Sequence, residues 1–223
     1  MGSNMKKMHR LLGTGVAMAT GAVVLGSGVW ALAGTDSSSA AKGQAVTVSA
    51  AQPASVPIDQ TEAALAPVRT DIVGAARYEY GIPAHRGEKP SGSNCNYYSS
   101  RLGSGSACSS GWRSVSWCAD FARYIWRQAK VDHTDVLNAY ADSFRTYGKK
   151  YGQWHPAGSG YTAMPGDAVV YQDENGNGLA DHVGIVISNS GGKMVTIEGN
   201  WNNQVTQRTN PTHIWGFTRP IRA

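Results

Sequence analysis

The chain has 223 residues, 41% of them hydrophobic and 16% charged, and a formal net charge of +5. The basic excess is spread along the sequence without forming a stripe, which argues against a nucleic-acid-binding surface. A charge of this size suits simple solubility, or the attraction of an exported protein to an anionic polymer.

The N-terminus holds Lys6, Lys7 and Arg10, then an apolar run from Leu11 to Leu32 that exits through Ala31-Leu32-Ala33. A charged start, an apolar middle and a small-residue exit mark a secretory signal peptide. The run is also about as long as the ~20 residues needed to span a bilayer. Residues 1–34 therefore read as a cleaved signal or a retained anchor, and only the anchor would touch a membrane. Both readings put the rest of the chain outside the cell. Residues 35–66 are rich in Ser, Ala, Thr and Pro, a composition that buries too little surface to offset chain entropy. They are expected to form a flexible linker, followed by one domain over residues 67–223.

"PVRTDIVGAARYEYG", residues 67–81, predicts a helix with Ile72, Ala76 and Tyr80 on one stripe. Beyond it stand Cys95, Cys108 and Cys118, an odd number for a chain headed to an oxidising compartment. Cys95 and Cys108 fall in a Gly/Ser-rich stretch expected to be helix-poor. Joining them would close a short loop and stabilise the fold by ~3 kcal/mol. A pairing through Cys118 stays open at this point. "SVSWCADFARYIW", residues 114–126, predicts an amphipathic helix capped by Ser116, with Cys118 in its first turn. There, free N–H groups and the helix dipole favour a thiolate. The competing reading is a buried, inert cysteine that packs like a small apolar residue.

"DVLNAYADSFRTYGKKYG", residues 135–152, predicts a second amphipathic helix, and Trp154 follows in a Gly-rich loop. "DENGNGLAD", residues 173–181, partly matches a calcium loop, with Asp173, Asn175, Asn177 and Asp181 as the oxygen ligands. The position where an EF-hand places its bidentate glutamate is Gly184, so an ordinary Asn/Gly turn competes with calcium as the explanation.

Residues 182–188, "HVGIVIS", and 194–200, "MVTIEGN", read as strands of a hairpin joined at "NSGG". Alternation puts Val183, Ile185 and Ile187 on one face and Val195 and Ile197 on the matching face of the partner. A slip of one residue would expose half of this set. Two registers keep the faces together. One sets Ile185 against Val195 and His182 against Glu198; the other sets Ile185 against Ile197 and His182 against Asn200. Both gather His182, Glu198 and Asn200 on the opposite face: an imidazole base beside a carboxylate and an amide that could orient it. The other histidines fall in loops, turns or the N-terminal segment. Residues 204–209 and 214–220 predict closing strands.

Three of these segments resemble the CHAP family, the cysteine- and histidine-dependent amidohydrolases and peptidases. "SWCADFARYIW" is similar to its nucleophile helix, "MPGDAVVYQ" (residues 164–172) to its Pro-Gly-Asp lead into a strand, and "DHVGIVIS" with "IEGN" to its histidine and Glu-x-Asn strands. The resemblance implies a papain-like α+β fold, helices packed on a small antiparallel sheet. It implies action on bacterial peptidoglycan, as an N-acetylmuramoyl-L-alanine amidase or an endopeptidase; no cofactor is expected to be required, and calcium is possible at the loop 173–181. It also implies that Cys118 is the nucleophile, His182 the base and Glu198 its orienter, with Asn200 a second orienter or a polar wall. Arg113 and Ser114 are the upstream candidates for an oxyanion donor. Trp154 and Trp201 are the candidates for stacking on sugar rings. The alternatives are a non-catalytic wall-binding module and a secreted antibacterial toxin with the same chemistry. A cell-wall-associated monomer is expected in each case.

Overall fold

The computed structural model describes residues 61–222. The predicted signal and most of the predicted linker lie outside the described residues.

Helix α1 spans Glu62–Gly81, so its first turn lies inside the stretch read as linker. Thr61 Oγ1 accepts from the Ala64 N–H, and Glu62 places a carboxylate at the positive end of the helix. Pro67, expected to open the helix, lies within it. Leu65, Val68, Ile72 and Ala76 make the buried stripe.

Strands β1 (Cys95–Asn96), β2 (Ser106–Ala107) and β3 (Arg113–Ser114) form a small sheet in the order β1-β3-β2. Within the stretch expected to lack helix lies α2, Tyr97–Leu102. Asn96 Oδ1 accepts from the Ser99 N–H at one end, and Gly103 adopts φ +73° at the other. Both ends are thus capped despite the Ser-rich composition. Cys95 and Cys108 are joined by a disulfide across this region, and Cys118 is free.

Helix α3 is Cys118–Gln128. Ser116 is not its cap. Trp117 holds the N-cap position without a side-chain bond, and Cys118 is the first helical residue. The expected helix over 135–152 is shorter, with α4 covering Asp142–Lys150 after a single 3-10 turn at Thr134–Val136. Asn138 explains the break: its side-chain oxygen accepts from the Tyr140 N–H, a local turn that competes with the helix.

The main sheet is antiparallel, ordered β4-β9-β5-β6-β7-β8. Its strands are β4 (Trp154–Pro156), β5 (Ala168–Tyr171), β6 (Val183–Ser190), β7 (Lys193–Trp201), β8 (Gln204–Thr209) and β9 (Ile214–Thr218). The larger core unites α1, α3 and α4 with the apolar face bearing Val183, Ile185, Ile187 and Ile197. A smaller one on the other face joins Val169, Tyr171, Val186 and Phe217. The fold is therefore α+β. Helix α3 comes close to β7 because residue 199 is glycine; a Cβ there would stand 2.3 Å from the Phe121 Cβ.

The β6–β7 hairpin settles its register in two steps. Gly191 and Gly192, at φ +57° and +74°, make a two-residue turn that pairs Ser190 with Lys193 and Ser188 with Val195. Carried onward, that pairing would set apolar residues against the polar face. An irregularity between Val186 and Ser188 corrects it, and from there Val186 pairs with Thr196 and Ile185 with Ile197. The alternative, Ile185 against Val195 and His182 against Glu198, is not formed. Residue 187 is the extra one, and a bulge of this kind absorbs one residue without disturbing the strands beyond it.

Candidate active site

Cys118 enters at the N-terminus of α3, 5% exposed. His182 lies immediately before β6, at the end of the sheet beside it. Its Nε2 is 2.8 Å from Glu198 Oε2. Cys118 acts on the same ring through hydrogen bonding and charge, and Nδ1 is the ring nitrogen that Glu198 leaves free. Burial works against a charged imidazole here, but the bonds and charges of Cys118 and Glu198 outweigh it and raise the His182 pKa to about 9. The proton is held on the ring at neutral pH, the state that pairs with a thiolate.

Glu198 is fully buried in the middle of β7. In the register adopted, it stands across from Gly184, and its side chain crosses that glycine; an ideal Cβ on Gly184 would lie 2.5 Å from Glu198 Cγ. Its carboxylate is fully partnered. Oε1 accepts from Thr196 Oγ1 at 2.6 Å and from the Tyr171 hydroxyl, while Oε2 accepts from Arg208 Nη1 at 3.1 Å. Burial alone would raise the carboxyl pKa; the bonds to His182, Thr196 and Tyr171 hold it below the usual range. A buried carboxylate with this many donors stays ionised and fixed.

The residues that support Glu198 are placed by strand register. Tyr171 is next to His182 because its N–H donates to the His182 carbonyl across β5 and β6. Arg208 is next to Glu198 because β8 sets it against Thr196. The guanidinium also lies 3.6 Å above the Trp201 ring, whose edge meets the His182 ring with centroids 5.4 Å apart. Thr196 could have been found in the sequence, since it lies two residues from Glu198 on the same face. Nothing short of the β5–β6 and β7–β8 pairings reveals Tyr171 and Arg208.

Asn200 departs from the expected cluster. It adopts φ +59° at an irregularity between Glu198 and Trp201, and its Nδ2 lies 3.4 Å from both Asn94 Oδ1 and Ser116 Oγ. It borders the turn that leads into Cys118, while Glu198 takes the imidazole Nε2. The upstream donors considered for an oxyanion are otherwise engaged. Ser114 Oγ donates to the Ser93 carbonyl, and the Arg113 guanidinium to the carbonyls of Ser104 and Gly105. Trp154 is not near the cysteine. Its strand lies at the far edge of the sheet, separated from β6 by β9 and β5, and its ring packs over Gly216.

The loop 173–181 is closed by its own backbone. Asp173 accepts from the N–H groups of Asn175 and Gly178, Asn177 Oδ1 from Leu179, and Asp181 from Glu174 and Asn175. Asn175 turns its amide N–H onto Asp181, and the carboxylates of Asp173 and Asp181 already accept backbone N–H groups, so a cation here would compete with these bonds. Among the described residues, no group of three or more His, Cys, Asp and Glu side chains is placed to hold a metal.

Two hollows meet at Asp181. One, of about 260 Å³, contains Cys118 and Ser116; the other, of about 190 Å³, contains His182, Trp201 and Arg208.

A cysteine opening a helix, its thiol on a histidine carried by an antiparallel sheet, defines a papain-like cysteine–histidine hydrolase fold. Residues 109–200 match the family model of the CHAP domain. The match takes in Cys118, His182, Glu198 and Asn200; Arg208 lies beyond it. No curated protein matches the chain. CHAP domains are amidohydrolases and peptidases of the cell wall that act on peptidoglycan.

Proposed function

We propose that this protein is an exported cysteine hydrolase that cleaves amide bonds in bacterial peptidoglycan, with Cys118 as nucleophile and His182 as its acid and base. The observation that carries the proposal is the buried chain of contacts from Cys118 through His182 to a fully partnered Glu198.

The Cys118 thiolate attacks the amide carbonyl carbon and forms a C–S bond, while the His182 imidazolium gives its proton to the departing nitrogen as the C–N bond breaks. The neutral imidazole then takes a proton from water, the hydroxide displaces the thioester sulfur, and the carboxylic acid leaves. Glu198 acts through His182, keeping Nδ1 aimed at the sulfur and the imidazolium stabilised. The Cys118 backbone N–H, at the first position of α3, is free of the helix ladder and supplies one donor for the oxyanion. A disulfide between Cys95 and Cys108 fits a protein that works outside the cytosol. Trp201, on the rim beside His182, is a candidate surface for the glycan.

Incubation of the full chain with purified sacculi tests this. Wild type is expected to release soluble fragments, and Cys118→Ala to release none. Mass spectrometry of the fragments then names the bond: a free lactyl group marks a muramoyl-alanine amidase, and a new peptide amine marks an endopeptidase. Equal binding of both proteins without release would sink the proposal.

A further inference from the structure

The hollow that holds Cys118 does not end at the cysteine. Tyr140, Asp142 and Leu179 line it and also line a second hollow, of about 370 Å³, that runs on past Val136 and Thr146. The two form one trough leading away from the sulfur.

Its lining is unusual for this surface. Among the described residues four large hydrophobic side chains are exposed: Tyr78, Val136, Tyr140 and Leu179. Three of the four lie along the trough, at 37%, 74% and 49% exposure respectively. Scattered exposed apolar residues need no explanation, but a cluster beside a nucleophile is a mark of recognition.

The walls are also fixed in place. Asp142 Oδ1 accepts from Arg145 Nε at 2.7 Å and from the Ala180 N–H at 3.1 Å, and Arg145 Nη2 donates to the Gly178 carbonyl at 3.1 Å. These bonds tie the loop 173–181 to α4 and keep Leu179 beside Tyr140. The loop that resembles a calcium site in sequence is built as a wall.

We infer that this trough is a specificity subsite for the peptide part of the substrate, taking up small apolar side chains next to the scissile amide against Val136, Tyr140 and Leu179. The inference rests on the hydrolase reading above. Two exposed aliphatic side chains and a tyrosine ring make an apolar strip on which methyl-bearing peptide side chains can pack.

The test uses the full chain and purified sacculi. In the Cys118→Ala background, Tyr140→Ala and Leu179→Ser are expected to weaken sedimentation with sacculi by about tenfold. With Cys118 intact, the same changes raise the sacculus concentration for half-maximal release and leave the maximal rate nearly unchanged. Tyr78→Ala, exposed on α1 and outside the trough, is expected to alter neither. Unchanged binding and half-saturation in both trough variants, with wild-type release normal, overturns the subsite alone. Absence of release by the wild type overturns the subsite together with the hydrolase reading.

Discussion

Glu198 reaches His182 by lying across the bare backbone of Gly184. The acid and the imidazole stand on adjacent strands, displaced by two residues, and the missing side chain between them is what lets a 2.8 Å contact form. Gly184→Ala would set a methyl group inside the Glu198 side chain, so the carboxylate must move off the imidazole. The expected result is a loss of stability of ~1–3 kcal/mol in denaturant melts. Fragment release should fall about a hundredfold, the scale of lost acid–base help. Gly74→Ala, in α1 with nothing within 4 Å of the new methyl, is the contrasting case. It should melt as well as wild type or better, because alanine is the stronger helix former.

Glu198→Gln keeps the shape and removes the charge. In wild type the imidazolium persists until pH approaches about 9, above the ordinary histidine value of 6.5. The stability it contributes is complete below 6.5 and is lost as pH rises through about 9. Activity should fall on the same alkaline limb. With glutamine at 198, that limb should move toward lower pH in a rate profile; an unmoved limb would show that Glu198 does not tune the ring.

Tyr171→Phe removes one donor from a carboxylate held below its ordinary pKa range. With fewer donors the Glu198 pKa rises. The acid limb of the activity profile should shift toward higher pH, and stability should drop by ~1–2 kcal/mol. A pH–rate profile with thermal melts at two pH values checks both.

The cysteines should respond separately. Alkylation of the folded, unreduced protein is expected to label Cys118 alone, and peptide mapping should show Cys95 and Cys108 linked. Reduction should cost ~3 kcal/mol of stability through the freed loop. Labelling of Cys95 without reductant would contradict the pairing.

Chelation should do nothing. The oxygens of loop 173–181 already accept backbone N–H groups, so neither the melting temperature nor fragment release should change with a strong calcium chelator. A fall in melting temperature that added calcium restores would show the loop opening to take an ion.

Much of this was legible in the sequence because it depends on side-chain alternation and short spacing. The apolar faces of 183–187 and 195–197 force His182 and Glu198 onto one side, and the place of Cys118 at the start of a helix follows from the pattern after it. What stayed hidden depends on partners distant in sequence or on local capping. Tyr171 and Arg208 reach Glu198 only through neighbouring strands. Trp154 is carried away from the cysteine because β4 joins the sheet beside β9. Helix α2 was concealed by its serines, since composition does not show that Asn96 and Gly103 cap it. Asn138 ended a helical pattern that read as continuous.

The active centre also depends on an irregularity some distance along the hairpin. The glycine turn counts residues one way and the catalytic end needs them counted another; Ile187 is the difference. Were the ladder to run straight on from the turn, with Ile187 paired instead of bulged, inside and outside would be exchanged along the whole end of β6 and Glu198 would stand opposite Ile185. Deleting Ile187 should therefore leave the catalytic pairing in place, whereas deleting Ile185, beyond the bulge, should abolish activity without touching a single group that takes part in the chemistry.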